Sequence, residues 1–68
     1  MVNLKLVYLE SGQVTCQVIR GQNVIDTLTG DNIRDVRIHT TSMLLSLLKM
    51  GLIRESEYTS LNRILYSE

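Results

Sequence analysis

Cysteine and histidine are nearly absent from these 68 residues, each occurring once, at Cys16 and His39. A single cysteine excludes an internal disulfide, and one cysteine with one histidine cannot assemble a zinc cluster. Net charge is missing as well. Seven basic residues offset seven acidic ones, so no global field holds the chain on nucleic acid or on an anionic membrane. No apolar run approaches the roughly 18 residues that a membrane span needs. The opening stretch MVNLKLVYLESGQ turns polar before the apolar core of a signal peptide can form. The cytoplasm is therefore the expected location, and a free thiol suits it. Catalysis has little to draw on, because a lone His39 is accompanied by no glycine-rich phosphate loop and no paired-carboxylate motif. The chain is expected to be noncatalytic, with no cofactor and no metal.

What is present is an ordinary globular composition, 44% hydrophobic and 21% charged. A chain this short buries only about 60% of the surface exposed by its unfolded form, which leaves a single domain marginally stable. Disulfides, metals and partner chains are the usual remedies. With the first two excluded, association remains.

Residues 2–9 alternate, with Val2, Leu4, Leu6 and Tyr8 on one side and Asn3, Lys5, Val7 and Leu9 on the other, which is the period of a strand. Glu10, Ser11 and Gly12 form a turn. Residues 13–20 resume the alternation with Val14, Cys16 and Val18 inward, completing a hairpin. A turn at Gly21, Gln22 and Asn23 leads into a third strand over residues 24–29. There Asp26 interrupts the face begun by Val24 and Leu28, while Ile25 lies opposite, so the strand is either apolar on both sides or bulged. Residues 33–39 (IRDVRIH) alternate Val36 and Ile38 with Arg37 and His39, which favours a fourth strand; Asn32 could instead cap a helical turn through Val36.

Thr41 is the expected cap of a first helix that Gly51 ends. With Gly51 left-handed, Leu52 reaches back to Leu47 in a Schellman ending, and Lys49 favours the helix dipole. The stripe Leu44, Leu47 and Leu48 is widened by Met43, Leu45 and Met50 beyond what one sheet face covers. A second helix starts after Arg54. Glu57 can reach back to the free backbone amide, Ile53 and Tyr58 are spaced as a hydrophobic staple, and Tyr58, Leu61, Ile64 and Leu65 form one stripe. The expected fold is α+β: a small three- to four-stranded antiparallel meander over residues 1–39, followed by a helical hairpin over residues 41–67 packed on one face, all in one domain.

The stretch KMGLIRESEYTSLNRIL resembles the short C-terminal domain known as SHOCT, through Gly51, Leu52, Ile53, Glu55, Glu57, Tyr58 and Leu61. The resemblance covers about residues 43–65. It implies a role in oligomerisation or protein interaction, with no chemistry attached. One departure stands out, because the family usually has Thr, Ser or Asp where this chain has Arg54. An arginine cannot accept the amide hydrogen bond of a cap residue, and it sets a cation at the positive end of the helix dipole. Arg54 is therefore a candidate for a contact outside the domain.

The candidate partner-binding residues are Met43, Met50, Arg54 and Tyr58, since methionine adapts to irregular partners and arginine and aromatic residues dominate binding hot spots. The expected function is a self-associating interaction module that binds and modulates another protein. In style the chain is like small phage proteins, which suggests an inhibitor of a host or defence protein. The rival reading is a dimeric regulator of ribbon-helix-helix type, in which Arg34, Arg37 and His39 on a strand would enter the major groove and Arg54 would hold a phosphate. Zero net charge and the acidic Asp35, Glu55 and Glu57 count against it.

Overall fold

The computed structural model describes residues 1–67. Three strands come first: β1 (Val2–Tyr8), β2 (Val14–Arg20) and β3 (Asn23–Gly30). Two helices follow, α1 (Ile33–Lys49) and α2 (Glu55–Ser67). The strands form one open antiparallel sheet in the order β1-β2-β3, so the meander expected from the turn spacing is present with three strands. Both helices pack on one face of this sheet, α1 against β3 and β2 and α2 against β1. No helix among the described residues is long and apolar enough to cross a membrane.

The central strand carries the sheet's share of the core. Val14, Cys16 and Val18 of β2 are fully buried, as their alternation requires. The inward residues of the edge strands, Val2, Leu4 and Leu6 in β1 and Ile25 and Leu28 in β3, are only half-buried. Tyr8 shares the parity of Val2 and Leu4, yet it projects past the helical cover and is exposed. The doubt over the third strand resolves into a bulge. Pairing shifts between Val18 and Ile19, so Asp26 opposes Val18 while Val24 opposes Ile19. The extra residue is Ile25, and it packs onto the core while Val24 faces solvent.

The largest correction concerns residues 33–39, which are the first two turns of α1 and not a fourth strand. The boundary between sheet and helices therefore falls near Asn32, well before Thr41. Asn32 is the cap: its Oδ1 accepts the Asp35 N–H at 2.9 Å, and its Nδ2 donates to Asp35 Oδ2 at 3.3 Å. Asp35 also places a carboxylate in the first turn, where the dipole favours it. Tertiary packing then selects the helical period over the strand period. Ile33, Val36, Thr40, Leu44 and Leu47 recur at spacings of three and four along the face that meets the sheet, and the last four are buried. Thr40 hid this stripe, because a polar residue in its middle breaks the run that connects Val36 to Leu44.

The core has two parts. Under the hinge end of the helices lie Val18, Leu44, Leu47, Ile53 and Leu61. Under the opposite end lie Val14, Cys16 and Val36, with buried Thr40 beside them. In this second part α1 approaches the sheet closely. A Cβ on Gly30 would stand 2.8 Å from Val36 Cγ2, so the end of β3 can accept only glycine without displacing a buried side chain.

Candidate interaction surface

The hinge between the helices is closed by its own residues. Gly51 has φ +77°, and the N–H groups of Gly51 and Leu52 donate to Leu48 O and Leu47 O, each at 3.0 Å, the pattern of a Schellman ending. At the start of α2, Glu57 Oε1 accepts the Arg54 N–H at 2.9 Å, the reciprocal half of a capping box. Ile53 is buried, and Tyr58 packs on the same cluster. Arg20, at the end of β2, completes the closure. It donates to Glu57 Oε1 and Oε2 at 3.2 and 3.3 Å and to Leu52 O at 2.8 Å, tying the sheet to hinge and helix together. The Arg54 amide and, after it, Arg20 hold the Glu57 carboxyl below its ordinary range. Sequence reading missed Arg20 because its partner is 37 residues away.

The four residues expected to bind a partner divide into two pairs. Met43 and Tyr58 are half-buried and pack against the hinge-end cluster, so their main work is in the core. Met50 is 63% exposed, and Arg54 is exposed, with no hydrogen bond or ion pair to its guanidinium among the described residues. Glu57, the natural surface partner of Arg54, is taken by Arg20. Leu52, 48% exposed, adds to the apolar surface of the hinge.

A second surface lies on the outer face of the helical layer, near the end away from the hinge. Ile38 and Leu45 are two turns apart on α1 and are 54% and 40% exposed. Thr41 lies between them on the same face. Its hydroxyl donates to Arg37 O at 2.9 Å, so the Tyr66 hydroxyl, 3.0 Å away, donates to Thr41 Oγ1. That bond brings the hydroxyl end of Tyr66, itself 57% exposed, onto the face of α1 that carries Ile38 and Leu45. The result is an apolar patch built from both helices. Reading residues 33–39 as a strand separated Ile38 from Leu45; helical spacing was the signal that joins them.

The residues of the ribbon reading sit on α1, which removes the strand that would enter a groove. Arg34 and Arg37 lie one turn apart on one face of the helix, and His39 falls well round from both. Arg37 is half-buried, and its Nε donates to Leu65 O at 3.2 Å. A cation thus sits against the C-terminal end of α2, which has no basic residue in its own last turn. Arg34 and His39 are exposed.

Interior chemistry is limited to one contact. Burial pushes the Cys16 thiol up from its ordinary range, and the neighbouring Thr40 hydroxyl offsets part of that rise. Thr40 Oγ1 has no hydrogen-bond partner of ordinary geometry among the described residues. Both side chains are fully enclosed, so the pair is packing rather than a reactive site. No group of three or more His, Cys, Asp or Glu side chains comes together among the described residues. In comparisons with known proteins the chain matches no family model, no curated protein and no solved structure. The resemblance of residues 43–65 to SHOCT therefore rests on those residues alone.

Proposed function

We propose that this chain is a noncatalytic protein-interaction module that self-associates through the outer face of its helical layer and acts by binding and modulating another protein. The observation that carries this reading is the patch of Ile38, Leu45 and Tyr66, three large side chains held outward by two helices whose inward faces are already filled. Their exposure is stabilising only if something covers it, at about 25 cal/mol for each Å² of apolar surface removed from water. The hinge residues Met50, Leu52 and Arg54 form a separate exposed surface, available to a different partner while the copies are associated.

Light scattering over a concentration series tests the proposal. The expected result is a mass that rises with concentration toward that of a dimer. Replacing Ile38→Ser and Leu45→Ser together is expected to weaken association at least ~10-fold, the effect of removing a hot-spot pair. Stability should fall by much less than for a buried leucine, because Ile38 is 54% and Leu45 40% exposed. A wild-type mass that stays monomeric throughout would contradict the reading.

A further inference from the structure

The helical layer is wider than the sheet beneath it. Two helices, each about 10 Å across, cover three strands spaced about 4.8 Å apart. α2 packs chiefly along β1 and reaches β2 through the Arg20–Glu57 bonds and the core contact of Val18 with Leu61. Between α2 and β1, at the start of the strand, is a groove of about 330 Å³, lined by Met1, Val2 and Asn3 on one side and by Ser56, Glu57, Ser60 and Ile64 of α2 on the other. Ser56, Ser60 and Ile64 recur every fourth residue, and the two serines leave the space open.

Backbone parity shows which groups along the β1 edge are turned away from the sheet. The Leu9 N–H donates to Gln13 O at 2.9 Å and the Gly21 N–H donates to Met1 O at 3.3 Å, which fixes the odd-numbered residues as those bonded to β2. The N–H and C=O groups of Val2, Leu4, Leu6 and Tyr8 therefore point away from the sheet. The Leu4 N–H is met by Asn3 Oδ1 at 2.9 Å, as this orientation requires. The two edges are guarded differently. β3 has a bulge, and the charged Asp26 caps the Thr27 N–H at 2.9 Å. β1 pairs regularly along its length, its one charge, Lys5, lies on the opposite face, and a neutral, exposed asparagine is its one side-chain cap.

We propose that the β1 edge takes up an extended segment of a partner protein as a fourth strand. Unpaired amides and carbonyls on alternate residues are satisfied by another strand. The apolar side chains of that segment enter the groove under α2, and an acidic side chain on its other face meets Lys5. A second copy of β1 does not fit. The antiparallel register that pairs Val2–Tyr8 with itself opposes Lys5 to Lys5. The inference rests on the chain being an interaction module, but it uses a face separate from Ile38, Leu45 and Tyr66.

The test is amide hydrogen exchange of the whole chain with a capped synthetic peptide of alternating Val and Glu, matched to the seven residues of β1. At saturation the Leu4 and Leu6 amides are expected to exchange at least ~10-fold more slowly, as paired strand amides do. Ser60→Tyr, a change at an exposed position that fills the groove, is expected to abolish the effect. Asn3→Ala, which uncaps the Leu4 amide, is expected to strengthen binding, and a peptide with Lys in place of Glu is expected to bind more weakly. Unchanged exchange at Leu4 and Leu6 with millimolar peptide would overturn the inference, as would binding indifferent to Ser60→Tyr. Self-association that still depends on Ile38 and Leu45 in the same samples would show that the edge inference alone had failed.

Discussion

The two ends of the helical layer are held to the sheet by different means. At the hinge end, four of the five core residues, Leu44, Leu47, Ile53 and Leu61, are large aliphatic side chains. A ring of polar bonds around Arg20 and Glu57 closes the surface above them. At the far end the core is built from Val14, Cys16, Val36 and Thr40, small enough for α1 to rest directly on Gly30. There the outer surface holds Ile38, Leu45 and Tyr66, and the bonds to α2 include the Tyr66–Thr41 hydroxyl pair and Arg37 Nε to Leu65 O. The contrast is one of core composition. The hinge end is filled by large aliphatic side chains and the far end, Leu65 apart, by small ones, while exposed apolar side chains occur at both, Met50 and Leu52 at the hinge and Ile38, Leu45 and Tyr66 at the far end.

The contrast is sharpest in the core. Leu44→Ala at the hinge end is expected to cost about 2–5 kcal/mol, a large share of the total in so short a chain. Val36→Ala at the far end should cost roughly 1.5 kcal/mol, the loss of two methylene-sized groups at about 0.8 each. Equal losses in urea unfolding would break the distinction. Gly30→Ala tests the close approach instead. With Val36 fully buried and 2.8 Å from the new Cβ, overpacking is expected to cost about 1–3 kcal/mol. A neutral result would mean that α1 lifts from the sheet at little cost.

Thr40→Val is expected to act in the opposite direction. It keeps the shape of a fully buried side chain and removes a hydroxyl that makes no hydrogen bond, which should raise stability by about 1 kcal/mol. A loss would show that the contact with Cys16 is worth more than the unmade bonds. At the hinge the smallest effect is pH-dependent. Glu57 has a lowered pKa in the folded chain, so its contribution is complete above the ordinary value of 4.5 and is lost as pH falls through the folded value below it. Thermal unfolding of the wild type should therefore weaken more than that of Glu57→Gln between about pH 5 and pH 3. Parallel curves would remove Glu57 from the closure of the hinge.

This division also explains what could be read in advance. The hinge signals are local: Gly51 with Leu47 and Leu52, Arg54 with Glu57, and Ile53 with Tyr58 all lie within five residues of each other. Strand alternation around Cys16 is equally local and marks the sheet core, while the break at Asp26 leaves two readings of β3, of which the structure has the bulge. At the far end the deciding facts are not local. Residues 33–39 satisfy both periods, and only the continuation through Thr40 to Leu44 and Leu47 selects the helix. Because that helix start was misread, the patch of Ile38, Leu45 and Tyr66 could not be assembled. Met43 and Tyr58 were expected at the surface for a related reason, since the width of the core cluster depends on Ile25, which the bulge turns inward. The role of Arg20 depends on a contact across most of the chain, which no local pattern announces.

The central claim is that the apolar surface at the far end, and not that at the hinge, is the one proposed to be covered by a second copy. Methyl spectra recorded over a wide concentration range test it most directly, because Ile38 and Leu45 report on one surface while Met50 and Leu52 report on the other. The account predicts concentration-dependent shifts at the Ile38 and Leu45 methyls with those of Met50 and Leu52 unmoved. Shifts confined to Met50 and Leu52, or none at any concentration, would contradict it.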